Sequence, residues 1–353
     1  MKLGVFILAV LCTWSGQAIA FQMNPNLSDE TINKGTEKFS QFKWRLTQPI
    51  HEELTKKTII NVLSKDGICK NVEKKEISSL AAAIIEGSEW NDDPSKYLPK
   101  KPIRWAVEMQ DANNRAKGKG WWLNKKVIDS KYKPLYRSHY GDLQFLHAMA
   151  SSTNIPAINT RHLIMMWIEF AYKVSNGEIK KKIKLRNAVS YLSTEKSRDL
   201  FSKLFLNTTH SKGGWQVQYM FSAAWNRSAS EIRSLALGSI LHIIQDSFSD
   251  SHVDRIPSYA EVPKNGVSLN GRNQIREFLA YNKQSSKKHA KSDVKPKDIN
   301  DDNLDIIDYS SQVVLCAFSQ QANSWETLRP YLMSKVFLLA DHTNPSSAGK
   351  YAK

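Results

Sequence analysis

Cysteine is scarce in this chain, with three in 353 residues. None sits in a Cys-x-x-Cys pair, which argues against a thiolate zinc site. Long apolar runs are missing too. After the first twenty residues nothing approaches the roughly eighteen uninterrupted apolar residues that a membrane-spanning helix needs. Strands leave little trace: no run keeps a period-two alternation and no hairpin signal stands out. No unit repeats along the chain. Acidic residues are in short supply, 34 Asp and Glu against 50 Lys and Arg, for a net charge of +16. A balance this basic points to an anionic partner, such as phospholipid headgroups, nucleic acid or an acidic surface, without choosing among them. The hydrophobic share of 41% and the charged share of 24% are ordinary for a globular protein, and the length suffices for one large core or two domains.

The first twenty residues, 1–20, have the build of a secretory signal. Lys2 gives a positive start, Gly4 to Trp14 is a short apolar run, and Ala18-Ile19-Ala20 is a small-x-small cleavage site. Cleavage there would leave Phe21 first and a charge of +15, since Lys2 is lost from the net +16. The expected destination is secreted or periplasmic. Cys12 leaves with the signal. Cys69 and Cys316 remain, either joined by a disulfide in an oxidising compartment or left as two thiols.

Apolar residues recurring three and four apart mark helices over 44–62, 76–86, 161–175, 181–192, 195–205, 214–225, 229–248, 271–282, 303–324 and 326–339. The expected fold is all-α, with residues 21–353 as a single large domain. Residues 94–137 depart from the pattern. Twelve Lys and Arg there face only Glu108, Asp111 and Asp129, with Trp105, Trp121, Trp122, Tyr132 and Tyr136 interleaved. Basic residues mixed with aromatics suit a membrane interface or a nucleic-acid strand; a solvated irregular insertion reads the same way.

The densest chemistry lies in Leu237 to Arg255, LGSILHIIQDSFSDSHVDR. His242 and Asp246 are four apart, one turn apart on one helical face, close enough to share an ion. Leu237, Ile240, Leu241, Ile243, Ile244 and Phe248 surround them, so the helix reads as central and buried. An ionised Asp in such a place costs several kcal/mol, as an order of magnitude, unless it is paired or bound to a cation. The plain alternative is a hydrogen-bonded His–Asp pair in a core. His252 follows after a Ser/Asp-rich run. Elsewhere, His51 opens a helix behind Pro49, and Trp90-Asn91-Asp92-Asp93-Pro94 forms a turn after an apolar helix. His139 stands in Ser138-His139-Tyr140, and His147 reads as a core histidine. His289 and Asp293 make a second His-x-x-x-Asp pair in a more polar stretch.

Taken in order, His51, the WNDD turn, SHY at 138–140, HxxxDxxxxxH at 242–252 and HxxxD at 289–293 resemble the secreted bacterial zinc-dependent phospholipase C family, related to the fungal zinc-dependent single-strand nucleases. The resemblance implies an all-α protein of that type with up to three zinc ions. His139, His242, Asp93 and Asp246 would hold the first. His252, His289 and Asp293 would hold the second. His51 and Asp246, with the amine and carbonyl of Phe21, would hold the third. Asp93 would position or deprotonate the attacking water, with Asp92 as its alternative. The implied activity is hydrolysis of the glycerol-side phosphodiester of phospholipids such as phosphatidylcholine, by a monomer meeting a membrane surface without a stable nucleic-acid partner. A nuclease or nucleotidase on the same site is one alternative, and a non-catalytic zinc-stapled binder of anionic surfaces is another. This chain departs from the family in three respects. It carries Asp293 where compact members have Glu, a long stretch before His139, and thirty residues between Phe21 and His51, so that Trp44 becomes terminal only after further processing.

Overall fold

The computed structural model of the protein describes residues 50–64, 68–69, 74–94, 105, 108–109, 111–112, 115–116, 133–206, 213–222, 226–264, 267–292, 302–320 and 325–353. The signal-like start, Phe21, Trp44, Asp293 and most of the 94–137 insertion lie outside the described residues. In chain order come α1 (Ile50–Leu63), α2 (Lys74–Ser88), α3 (Pro134–Tyr140), a 3-10 turn (Gln144–His147), α4 (Ala157–Ser175), α5 (Glu195–Phe201) and α6 (Ala229–Asp246). A hairpin of β1 (Val253–Lys264) and β2 (Val267–Phe278) follows, then α7 (Ser286–Ser292), α8 (Asp302–Gln320) and α9 (Trp325–Tyr331). The fold is all-α apart from this two-stranded sheet.

The rest of the molecule packs around α6. The Ser228 hydroxyl accepts the Glu231 backbone N–H at 3.2 Å and Glu231 accepts the Ser228 N–H at 2.8 Å. This capping box satisfies donors that a helix start leaves without partners. From Ser234 to Asp246 every residue of α6 is buried, as a helix apolar on all sides requires. Helix α2 crosses it at Gly87 and Gly238: a Cβ on Gly87 would stand 2.7 Å from the Ser234 carbonyl oxygen and 2.8 Å from the Leu235 Cα. Only glycine at the crossing lets the two backbones come this near. On another side lies α4, whose Trp167 indole donates to Ser239 Oγ at 3.0 Å. Cys69 and Cys316 form a disulfide with Cα atoms 5.6 Å apart, tying the segment after α1 to α8.

Two expectations are corrected. The stretch 271–282, read as a helix, is largely strand: β2 pairs antiparallel with β1, Val253 opposite Phe278 and Lys264 opposite Val267. Register shifts between Asp254 and Arg255, Ile256 and Ser258, and Ser258 and Val262 break the alternation that would have marked a strand. The stretches 181–192 and 214–225 hold only the short turns Leu185–Ala188, Val189–Tyr191 and Gln218–Phe221 among their described residues. Within the basic insertion, Trp105, Met109 and Ala112 are buried, and buried Asp111 receives Arg115 Nε at 2.9 Å. No helix among the described residues is long and apolar enough to cross a membrane.

Candidate metal centre

The helical spacing of His242 and Asp246 delivers what it promised. His242 Nε2 lies 2.9 Å from Asp246 Oδ2. A third donor arrives from the 3-10 turn: His147 Nδ1 is 3.0 Å from Asp246 Oδ2 and 3.1 Å from His242 Nε2. Four-coordinate zinc with bonds of about 2.0–2.1 Å sets its ligand atoms about 3.3 Å apart, so this triangle is close to the size that one ion needs. Asp92 borders it, with Oδ1 3.8 Å from His147 Nδ1 and Oδ2 3.9 Å from His242 Nδ1. The WNDD turn is fixed through Asn91, whose Nδ2 donates to the Leu146 carbonyl at 2.6 Å and whose Oδ1 accepts from Ser239 Oγ at 2.6 Å. Trp90 stacks on Trp167 with ring centroids 5.1 Å apart.

The other oxygen of Asp246 faces a different pair of rings. Oδ1 lies 3.5 Å from His51 Nε2 and 3.5 Å from His252 Nδ1. Asp246 thus stands between two sets of imidazoles. His51 also stacks on His242, centroids 3.8 Å apart. His289, brought by α7, stacks on His252 at 5.1 Å. Only the hairpin separates these last two in sequence, and its ends lie side by side: the Leu279 N–H donates to the His252 carbonyl at 2.8 Å.

Four of the rings are turned by a carbonyl oxygen behind them. His242 Nδ1 donates to the Ser88 carbonyl at 2.7 Å and His139 Nδ1 to the Leu135 carbonyl at 3.0 Å. His51 Nδ1 donates to Gln245 Oε1 at 2.6 Å and His289 Nδ1 to Gln284 Oε1 at 2.5 Å. With Nδ1 carrying the proton, Nε2 of all four keeps a lone pair, which is how a hydrogen-bond acceptor behind the ring prepares imidazole for a metal. Burial pushes the pKa of His139 and of His242 down to about 3, with neighbouring His147 and His51 respectively adding to the effect. Burial also lowers His147. Burial would raise Asp246, but the electrostatic influence of His242 and His252 and a hydrogen bond from His147 hold it well below the usual carboxylate range. Neutral imidazoles around an ionised carboxylate are the protonation states that metal binding requires.

The residues fit a metal by a second test. Among the described residues, His139 Nε2, His147 Nε2 and Asp246 Oδ1 are buried and make no hydrogen bond, although buried polar atoms are normally satisfied. Three overlapping groups could each hold an ion, their ligand atoms within 4.8 Å of one another: His51, Asp92 and His242; Asp92, His139 and His147; His147, His242 and Asp246.

His51, His139, His242 and Asp246 lie in one cluster, which His252 joins through Asp246, but His139 groups with Asp92 and His147, and His51 with Asp92 and His242, rather than in the sets that the resemblance implied. Asp93 is buried beside Asp92 but belongs to none of the three groups; Asp92, the alternative, belongs to two. His147, read from the sequence as a core residue, also belongs to two. Its signal was a second histidine in the short segment that holds His139. The set proposed with Asp293 and that with Phe21 reach outside the described residues. Beside the centre, His139, Tyr140, His147, Met149, Tyr281 and His289 line a small cleft. Comparison of the chain with protein-family models, curated proteins and solved structures finds no match.

Proposed function

We propose that the protein is a zinc-dependent phosphodiester hydrolase of the phospholipase C kind, secreted or periplasmic and acting on phospholipids as a monomer. One observation carries the reading: the Asp246 carboxylate turns Oδ2 to His147 and His242 and Oδ1 to His51 and His252, so ions held on its two sides would be neighbours. Adjacent ions suit in-line displacement at a phosphodiester, and a donor set of imidazole and carboxylate favours zinc. When bound, zinc supplies a nucleophile near neutral pH and neutralises charge on the phosphate oxygens.

The chain's own residues supply orientation. Ser88 and Leu135 hold the His242 and His139 rings through their carbonyls. Asp246 joins the two sets of imidazoles, Oδ2 toward His147 and Oδ1 toward His51. Asp92 takes the part first given to Asp93, accepting the proton of the attacking water at a carboxylate oxygen. The cleft beside His139 receives the group esterified to phosphate, and the Tyr140 and Tyr281 rings, 5.9 Å apart, form one of its walls.

The test joins zinc content with product. Purified protein should hold zinc and release phosphocholine from phosphatidylcholine. His147→Ala and Asp92→Asn should each lower turnover by about a hundredfold or more, with zinc lost from His147→Ala. Digestion of single-stranded DNA without phosphocholine release would replace the lipase reading with the nuclease one. Bound zinc without turnover of any phosphodiester would leave a zinc-stapled binder.

A further inference from the structure

The excess positive charge is not spread over the chain. Residues 94–137 hold twelve Lys and Arg against three Asp and Glu, and residues 176–222 hold nine against three. These excesses of nine and six make up 15 of the net +16. The first segment is the insertion noted above. The second has no part in the metal centre, and its residues 176–206 and 213–222 are described.

Within it two strips run side by side. The N–H groups of Leu185 and Arg186 donate to the Trp215 and Gly213 carbonyls at 2.8 and 3.0 Å. Those of Val217 and Gln218 donate to the Ile183 and Lys181 carbonyls at 2.8 and 2.9 Å. Lys184 and Gln216 face each other as an antiparallel bridge. The ladder leaves Lys180, Lys182, Lys184 and Arg186 exposed. On the partner strip Trp215 is 39% exposed, and shortly after it Tyr219 is 47% exposed. Four large apolar side chains are exposed among the described residues, Ile60, Tyr191, Trp215 and Tyr219, and three belong to this one segment. Glu178, the carboxylate nearest in sequence, accepts from Asn176 Nδ2 at 2.6 Å.

We propose that this ladder is a docking surface for an anionic phospholipid bilayer. Trp and Tyr pair an apolar ring with a polar tip and settle at headgroup level. Exposed Lys and Arg add attraction to anionic lipid that fades within a Debye length. A nucleic-acid strand asks instead for stacking rings in series along a groove, and one Trp–Tyr pair on a short ladder does not supply it. The two basic segments also touch. Arg137, which closes the first, donates from Nη2 to the Leu204 carbonyl at 2.7 Å and lies over the Phe205 ring at 5.7 Å. Leu206 packs against Gly213 of the ladder. Arg137, buried and paired with Asp142 at 2.7 Å, immediately precedes Ser138 and His139 of the cleft, so the two segments meet at the helix that carries a cleft residue. Use of this surface in lipid hydrolysis rests on the proposed phospholipase activity; the docking does not.

The experiment is vesicle sedimentation of the full chain at two salt concentrations, with phosphatidylglycerol-containing and pure phosphatidylcholine vesicles. Wild type should favour the anionic vesicles, and the preference should fall with salt. Lys182→Glu/Lys184→Glu/Arg186→Glu should lower partition onto anionic vesicles by about tenfold or more. Trp215→Ala/Tyr219→Ala should lower it by about fivefold while keeping the salt dependence. Both variants change exposed residues and should keep the wild-type melting temperature and wild-type turnover of a short-chain phospholipid dispersed below its critical micelle concentration. Wild-type partition by both variants overturns the docking surface, even if monomeric lipid is hydrolysed. Loss of single-stranded oligonucleotide retention in place of vesicle binding overturns it in favour of nucleic acid. Lost vesicle binding in a chain that cleaves no lipid upholds the surface and sinks only the phospholipase reading.

Discussion

At the residue scale, the candidate metal centre is arranged by side chains that offer it no ligand. Gln245 is fully buried on α6, with Oε1 accepting from His51 Nδ1 at 2.6 Å and Nε2 donating to Thr55 Oγ1 at 3.0 Å. Gln284 repeats the arrangement, accepting from His289 and donating from Nε2 to the Ser251 carbonyl at 2.8 Å. At Gln284 the bond to a carbonyl, which can only accept, fixes which way the amide faces, and so which nitrogen of His289 keeps its lone pair. Replacing Gln245 with Met keeps the length and removes the acceptor. We expect Gln245→Met to weaken zinc binding by about 10- to 100-fold, and Gln245→Glu to hold or tighten it, because a carboxylate still accepts and raises imidazole basicity. Competition against a chromophoric chelator measures both; equal affinity in all three proteins would remove Gln245 from this role. His242 and Asp246 were legible in the sequence because four residues along a helix define a face. Gln245 was not, since nothing local distinguishes a glutamine that meets a histidine 194 residues away from one in solvent. His147 was hidden for the same reason: what places it is the packing of a short 3-10 turn against α6.

At the element scale, the crossing of α2 and α6 places the WNDD turn. Ser88, whose carbonyl orients His242, follows Gly87 directly, and Asp92 lies four residues further on. A methyl group at Gly238 would meet the backbone of Gly87 and the Ile84 carbonyl, leaving only a shift of the helices as relief. Overpacking of this kind costs about 1–3 kcal/mol. We expect Gly238→Ala to lower the urea midpoint accordingly and also to weaken zinc binding, since the shift moves Ser88 and Asp92 away from α6. A wild-type urea midpoint would show that the crossing tolerates a side chain. The long helices α1, α2, α4, α6 and α8 were legible because their apolar spacing persists over several turns. The hairpin was not, because its register shifts and the internal Pro257 and Pro263 interrupt the alternation. What the sequence reading passed over is Asn265-Gly266, standing in the sequence between the paired Lys264 and Val267, the dipeptide most typical of two-residue hairpin loops. That hairpin is what allows His289 to lie against His252.

At the scale of the whole molecule, folding and metal binding are linked through protons. In the metal-free chain, burial holds His139 and His242 at about 3, and lowers His147 as well. The unfolded chain protonates the same groups near their ordinary value of 6.5. Between these limits the unfolded state binds more protons than the folded one, so stability rises with pH. Read the other way, the contribution is present above about 6.5 and is lost as pH falls toward about 3. Asp246, held below the usual carboxylate range, acts in the same direction: its share is present above its unfolded pKa and lost below it. Zinc bound as proposed would add to stability only while the imidazoles are unprotonated, so its contribution should shrink over the same window. We therefore expect chelator-treated protein to melt at a clearly lower temperature at pH 4 than at pH 7. Added zinc should raise the melting temperature at pH 7 and have little effect at pH 4. Melting scans from pH 4 to 8, with zinc and with chelator, check both statements. A chelator-treated protein that melts alike at both ends would mean that these histidines are not buried as neutral groups, and a zinc increment that survives at pH 4 would place the ion on oxygen ligands, away from this centre.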